Sequence, residues 1–237
     1  MALDAGLMER ARTTGEAVLR VYAWARPTLS FGRHENVLGR FDADSLARAG
    51  VGAVRRPTGG RVLLHDHEVT YSVTTPTRDD EPLSGSYRGI NTLLVAALER
   101  LGVTVAEAGN GEALRPGGVA CFAEPSTGEL VIGDRKLVGS AQVRERGALL
   151  QHGSILIADD QARITTLALA PVTPPLPAAT LSASLGRAPS YEEVRDALFG
   201  ALGTSVTAVE PLDTAAAAST AAPFRARFAD KEWTWRR

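Results

Sequence analysis

Four groups of residues in this chain have the types and spacing that chemistry requires. The first is its single cysteine, Cys121, in Val119-Ala120-Cys121-Phe122, just after a Gly-rich segment and just before Glu124-Pro125-Ser126. A lone cysteine is ordinarily a small buried hydrophobe; as a nucleophile it needs a nearby cation to lower its pKa. The second is Gly133-Asp134-Arg135-Lys136-Leu137-Val138-Gly139-Ser140-Ala141-Gln142. Its turn sets Lys136 at a strand start, and the small residues Gly139, Ser140 and Ala141 leave room for a ligand lying across a sheet. A charged turn with an exposed lysine is the plain alternative. The third is Arg55-Arg56-Pro57-Thr58-Gly59-Gly60-Arg61, followed by His65-Asp66. Adjacent N–H groups at Gly59-Gly60 can cradle an anion, and arginines recognise phosphate or carboxylate in pairs of hydrogen bonds. No Gly-Lys-Ser/Thr follows, so this is not a nucleotide-binding P-loop. The fourth is Gln151-His152-Gly153-Ser154, at the start of a strand. His65 and His67 are spaced as neighbours on one strand face, but no third ligand accompanies them at suggestive spacing, so no metal is expected. His34 has no reading of its own.

These groups need a frame. Residues 1–12 read as a helix with Leu3, Leu7 and Met8 on one face, and 86–101 as the best helix, with a stripe from Ile90 to Leu101. Strands are expected over 17–24, 28–31, 51–56, 62–64, 68–74, 129–132, 136–143 and 149–157, with a short helix capped by Asp42 or Asp44 and ending at Gly50. Gly133-Asp134 and Arg146-Gly147 mark hairpin turns. The segment 109–118 has loop character, and 171–177 holds four of the thirteen prolines. Residues 191–202 and 214–228 read as helices. The sum is an α+β fold with a mixed, mainly antiparallel sheet and helices packed against it. Residues 1–170 are expected to form the catalytic core, and 171–237 a proline-rich linker and small helical part of the same domain.

Composition bounds the function. The chain has 237 residues, 44% hydrophobic and 22% charged, with a net charge of −1. No global field draws it to nucleic acid or an anionic membrane, so any basic site is local. One cysteine allows no intrachain disulfide and suits a reducing compartment. No apolar run approaches the ~18 residues of a membrane span. The start, Met1 to Arg12, lacks the layout of a secretory signal. The expected location is the cytoplasm.

In order along the chain, MALD, PTLSFGR, RRPTGGRVLLHD, EVTYSV, GDRKLVGSAQ and LLQHGSILI resemble the biotin/lipoate protein ligase superfamily over Met1 to Ile157. The nearest resemblance is to the cysteine-dependent octanoyltransferases. RRPTGGR has arginine after its two glycines where lipoate ligases usually have a third glycine. ACF followed by PS resembles the segment that carries the transferase nucleophile. GSAQ followed by LQHGSI also matches. The resemblance implies the superfamily's central sheet with flanking helices, a biotin/lipoyl ligase-like fold akin to class II aminoacyl-tRNA synthetases. It implies transfer of octanoyl from octanoyl-acyl carrier protein to a lysine of a lipoyl-domain protein, either the glycine-cleavage carrier or a 2-oxoacid dehydrogenase subunit. Cys121 is then the nucleophile and Lys136 the cation that activates it and holds the acyl carbonyl. Arg55, Arg56, Gly59, Gly60, Arg61, His65, Asp66, Gly139, Ser140 and Ala141 frame the acyl pocket, with His152 and Gly153 on its wall. No cofactor is needed, because forming an amide from a thioester is downhill.

The chain departs from the family pattern at GRHEN, in place of a glutamine-containing form, and at PSTGEL, which lacks an aromatic before Glu129-Leu130. Three other readings remain open. An ATP-dependent lipoate–protein ligase would use ATP and Mg and set Lys136 on a lipoyl-adenylate; Phe228-Ala229-Asp230-Lys231-Glu232-Trp233-Thr234-Trp235 resembles the end of many ligase domains. An amidotransferase would shuttle the acyl group between lipoyl-domain proteins. A non-catalytic homologue would only bind carriers.

Overall fold

The computed structural model describes residues 1–77, 82–109, 128–203 and 210–236. Along the chain the strands are β1 (Val18–Tyr22), β2 (Thr28–Phe31), β3 (Gly52–Arg55), β4 (Leu63–His65), β5 (Glu68–Pro76), β6 (Ala106–Glu107), β7 (Leu130–Ile132), β8 (Arg135–Glu145) and β9 (Ala148–Leu156). The helices are α1 (Ala2–Thr14), α2 (Ala43–Arg48), α3 (Leu83–Arg100), α4 (Ile164–Leu167), α5 (Leu181–Leu185), α6 (Tyr191–Gly200), α7 (Thr214–Ala221), α8 (Arg225–Ala229) and α9 (Lys231–Trp235).

Six strands form an antiparallel sheet in the order β1-β5-β9-β8-β7-β6. A second sheet, β3-β2-β4, pairs β2 with β3 in parallel and with β4 antiparallel. The two-residue period of β9 shows how the large sheet is covered. Leu149 and Ile155 pack with Leu94 and Leu98 of α3 and with Val194 and Leu198 of α6. Ala148 and Leu150 point the other way, onto Met8 and Ala11 of α1. The small sheet has its own core, in which Leu29, Phe31, Val51 and Leu64 pack with Phe41, Leu46 and Ile164.

Local chemistry explains most boundaries. Asp42 caps α2 through the Ser45 N–H at 2.8 Å, and Ser190 with Glu193 forms a capping box on α6. The β8–β9 hairpin turns on Arg146 and Gly147, both at positive φ. One expectation needs correction. The helix read over 214–228 is broken: α7 ends at Ala221, a 3-10 turn holds Pro223, and α8 begins at Arg225, because proline removes a donor and clashes with the preceding turn. A short helix that was not read from the sequence follows the prolines: Thr180 caps α5, whose Leu181 is fully buried. No helix among the described residues is long and apolar enough to cross a membrane.

Candidate functional site

The large sheet turns a row of small residues toward the second sheet. Register sets Tyr22 beside Thr70, Thr70 beside Ser154, and Ser154 beside Gly139, across four strands. A parallel row runs Ser72, His152, Ala141. Over these rows lies a cavity, closed from the other side by Leu63 and His65 of the small sheet, by Arg56 just after β3 and by Met1. Ser140 and Gly153 complete its lining. The cavity is tight, at about 20 Å³, room for about one water molecule. Gly153 makes the strand crossing possible: a Cβ there would stand 2.5 Å from Gly139 O and 2.7 Å from the Tyr71 ring.

Buried polar groups fix the walls. Arg56 donates to the Ser30 carbonyl at 2.9 Å and to the Ser30 hydroxyl. Ser30 Oγ lies 2.6 Å from His65 Nε2, and His65 Nδ1 lies 2.7 Å from Glu68 Oε1. Trp24 stacks on this imidazole at 4.2 Å. Burial alone would raise the Glu68 carboxyl, but His65 and the hydroxyls of Ser154 and Thr70 hold it below its usual value. His152 Nε2 meets Thr58 Oγ1 at 2.7 Å, and burial pushes its pKa down to about 3, so the ring is neutral. Behind it, burial would raise Asp4, but Arg20 at 2.7 Å, the N-terminal ammonium at 3.4 Å and the Ser72 hydroxyl together outweigh that and leave the carboxyl at about 2. Tyr71, pushed up to about 12 by burial, shares its hydroxyl with Ser140 Oγ at 2.7 Å and takes a bond from Gln151 at 2.8 Å.

Seven of the site residues expected from sequence thus line one cavity: Arg56, His65, Gly139, Ser140, Ala141, His152 and Gly153. Arg55, Gly59, Gly60, Arg61, Asp66 and Lys136 are not part of its lining. Arg55 is fully buried and donates to the carbonyls of Gly32, Glu35, Trp233, Thr234 and Arg236 at 2.7 to 3.1 Å. Burial lowers its pKa to about 10, which leaves it charged. Gly59, Gly60 and Arg61 form the turn that Arg56 ties down through the carbonyls of Gly59 and Arg61. Gly32 packs against this turn so closely that a Cβ would lie 1.7 Å from Gly60 O. Asp66 is bound to Arg163 at 2.6 Å.

Lys136 opens β8, is only 1% exposed, and holds Glu129 Oε1 at 2.6 Å. The pairing that ends β6 and β7, with Ala108 N–H on Glu129 O at 2.7 Å, fixes Glu129. Sequence reasoning missed Glu129, although a lysine buried this deeply requires a counter-charge. Cys121 lies outside the described residues, eight positions before Glu129 in sequence. His67 is not on the strand face with His65, since β4 ends at His65. It is 62% exposed and meets Asp160 at 3.1 Å. Asp66, His67 and Asp160 bring ligand-type atoms within 4.8 Å of one another, a grouping that already holds the Arg163 cation.

Comparison with known proteins identifies the family. The family model of the lipoyl protein ligase A/B catalytic domain matches residues 1–203. An octanoyltransferase LipM of Kyrpidia tusciae is 37% identical, over 100% of this chain and 94% of that protein. Another, from Symbiobacterium thermophilum, is 38% identical over 87% of this chain and 83% of the relative. Among solved structures, a lipoate-protein ligase A bound with ATP has a TM-score of 0.79 at 22% identity, covering 99% of this chain and 92% of that one. A bipartite lipoate protein ligase of Thermoplasma acidophilum, studied with its E2 lipoyl domain, has a TM-score of 0.76 at 22% identity, covering 99% and 89%. At such identities the structural likeness speaks for the fold alone. Together with these octanoyltransferases, the chain belongs to the lipoyl protein ligase A/B catalytic domain family.

Proposed function

We infer that the chain is an octanoyltransferase of lipoate biosynthesis, which takes octanoyl from octanoyl-acyl carrier protein, holds it as a thioester on Cys121, and delivers it to a lysine of a lipoyl-domain protein. The observation that carries this reading is the 37% identity to an octanoyltransferase along the whole chain. The chemistry follows from the residues. The Cys121 thiolate attacks the donor's carbonyl carbon, a new S–C bond forms, and the carrier's thiolate leaves and takes up a proton. The exchange is nearly balanced, so the barrier is the issue. The Lys136 ammonium stabilises both the thiolate and the developing oxyanion. The acceptor's neutral amine then attacks, the C–N bond forms, the C–S bond breaks, and Cys121 takes back the proton that the new amide sheds. No ATP and no metal enters either step.

The cavity over Thr70, Ser154, Gly139 and Ala141 receives the acyl tail. Each buried CH₂ stabilises by roughly 0.8 kcal/mol, which makes the pocket a length gauge worth about fourfold per methylene. The acceptor is the glycine-cleavage carrier or a 2-oxoacid dehydrogenase subunit, and the reaction belongs in the cytoplasm.

The test is intact-protein mass spectrometry after mixing the enzyme with octanoyl-acyl carrier protein in the absence of ATP. An added octanoyl mass, released by hydroxylamine and absent from Cys121→Ser, is the expected result. An enzyme that forms no adduct, but makes an acyl-adenylate once ATP and octanoate or lipoate are supplied, is a ligase, and Cys121 is then a bystander.

A further inference from the structure

The tryptophan-bearing segment 228–235 lies beyond the family match at residues 1–203, and the proposed chemistry leaves it unused. It is firmly seated. The Trp235 ring packs 5.6 Å from Phe31. Trp233 Nε1 donates to Arg55 O at 3.1 Å, and Arg55 holds the carbonyls of Trp233, Thr234 and Arg236 in return.

Anchored this way, α8 and α9 gather cations. Residues 225–236 hold Arg225, Arg227, Lys231 and Arg236 against Asp230 and Glu232. The guanidinium carbons of Arg227 and Arg236 lie 4.0 and 3.8 Å from the centre of the Trp233 ring. Arg236 also reaches Arg33 O at 3.1 Å. Arg33 has a carboxylate partner in Glu145; among the described residues neither Arg227 nor Arg236 is within ion-pair distance of one. Asp230, the nearest acid to Arg227 in sequence, is occupied in capping α9 through the Glu232 N–H at 2.8 Å. The cations repel one another: Arg236 holds its proton less tightly than usual, through burial first and then through Arg33 and Arg227. Like charges gathered on one aromatic ring are relieved by an anion from outside.

The cluster also connects to the acyl cavity. The Arg33 N–H donates to Thr58 O at 2.7 Å, and Thr58 Oγ1 holds His152, a cavity wall residue, at 2.7 Å. We propose that Arg227 and Arg236 around Trp233, with Arg33, form the docking site for an acidic surface of the protein that delivers the acyl group. The proposal rests on the transferase reading for the identity of that protein. The donor is favoured over the acceptor on geometry. Its thioester arrives on a flexible arm, which allows docking at a distance from the reacting sulfur. The acceptor's amine sits on one side chain and must be presented at the cysteine itself. With a net charge of −1, the chain has no overall attraction for an acidic partner, so a local cluster must supply it.

The experiment compares two octanoyl donors, the acyl carrier protein and the small thioester octanoyl-pantetheine, on the parent enzyme and on Arg227→Glu/Arg236→Glu, with the milder Arg227→Gln/Arg236→Gln and thermal melting as controls for folding. The expected result is a rise in KM for the protein donor of about tenfold or more in the charge-reversed variant, with kcat within about twofold and octanoyl-pantetheine unaffected. Raising the salt should weaken the parent's use of the protein donor and leave the variant's flat. Trp233 fluorescence should change on titration with the carrier in the parent alone. Equal effects on both donors, no effect on either, or loss of lipoyl-domain binding in place of carrier binding would overturn the proposal. If the parent transfers octanoyl from neither donor, the transferase reading fails, and the fluorescence titration still decides the docking site.

Discussion

Replacing Lys136 by Met while leaving Glu129 in place separates what the lysine does for the fold from what it does for the reaction. The pair is only 1% and 5% exposed, with Nζ and Oε1 2.6 Å apart. Removing one member of a buried ion pair takes the cation from a buried carboxylate, which costs about 3–5 kcal/mol. For a chain of this size, Tm falls by about 2–4 °C per kcal/mol. Lys136→Met should therefore melt roughly 6–20 °C below the parent. The double variant Lys136→Met/Glu129→Leu removes both charges and should recover most of that loss, because buried ion pairs are commonly replaced by apolar residues at little cost. It should not recover activity. Loss of one preorganised positive group at a developing oxyanion slows the step by about 10²–10³. Thermal melts and octanoyl loading followed by mass spectrometry read both quantities on the same samples. A double variant that is stable and loads octanoyl at the parent rate refutes the catalytic role of Lys136. A single variant that melts with the parent refutes the buried pair.

Other expectations are as direct. Gly153→Ala drives a methyl into Gly139 O and the Tyr71 ring; it should destabilise by about 1–3 kcal/mol in denaturant titrations and abolish loading by narrowing the cavity. Arg55→Met strips buried carbonyls of their donor and should cost roughly 3 kcal/mol; limited proteolysis should then cut within 225–236, where the parent resists. His152 is neutral when folded, with a pKa of about 3 against an ordinary 6.5, so the unfolded chain binds the extra proton. Its stabilisation is complete above about pH 6.5 and is lost on acidification, at up to about 1.4 kcal/mol per pH unit. Chemical unfolding from pH 6.5 to 4 should be less steep in pH for His152→Asn, and equal slopes would refute the buried neutral ring.

Much of the fold was legible because its signals are local. Alternating apolar residues and Gly-bearing turns at 133–134 and 146–147 mark the hairpins of the large sheet, and the stripe from Ile90 to Leu101 marks α3. The parallel pairing of β2 with β3 was not legible, because α2 between them gives no sign of which edges meet. The cavity wall could be foreseen from the small residues Gly139, Ser140, Ala141 and Gly153 on strands. The roles of the two adjacent arginines could not. Strand alternation separates their side chains, but only the rest of the molecule determines that Arg56 faces the cavity and Arg55 the carbonyls of a segment some 178 positions away. Glu129 and Asp160 were missed for the same reason: each meets its partner through tertiary packing that no spacing rule encodes.

The bonds of Arg55 also have a consequence for how the protein is made. Its Nε and Nη2 acceptors are the carbonyls of Trp233, Thr234 and Arg236, which leave the ribosome 178 to 181 residues after it. At about 5–20 residues per second this is a delay of about 10 to 35 seconds. Throughout that interval the small sheet carries a guanidinium destined for the interior with part of its acceptor set still unmade. The wall it supports can close only once residues 233–236 have emerged, so the cavity stays unassembled for as long as those residues are unmade.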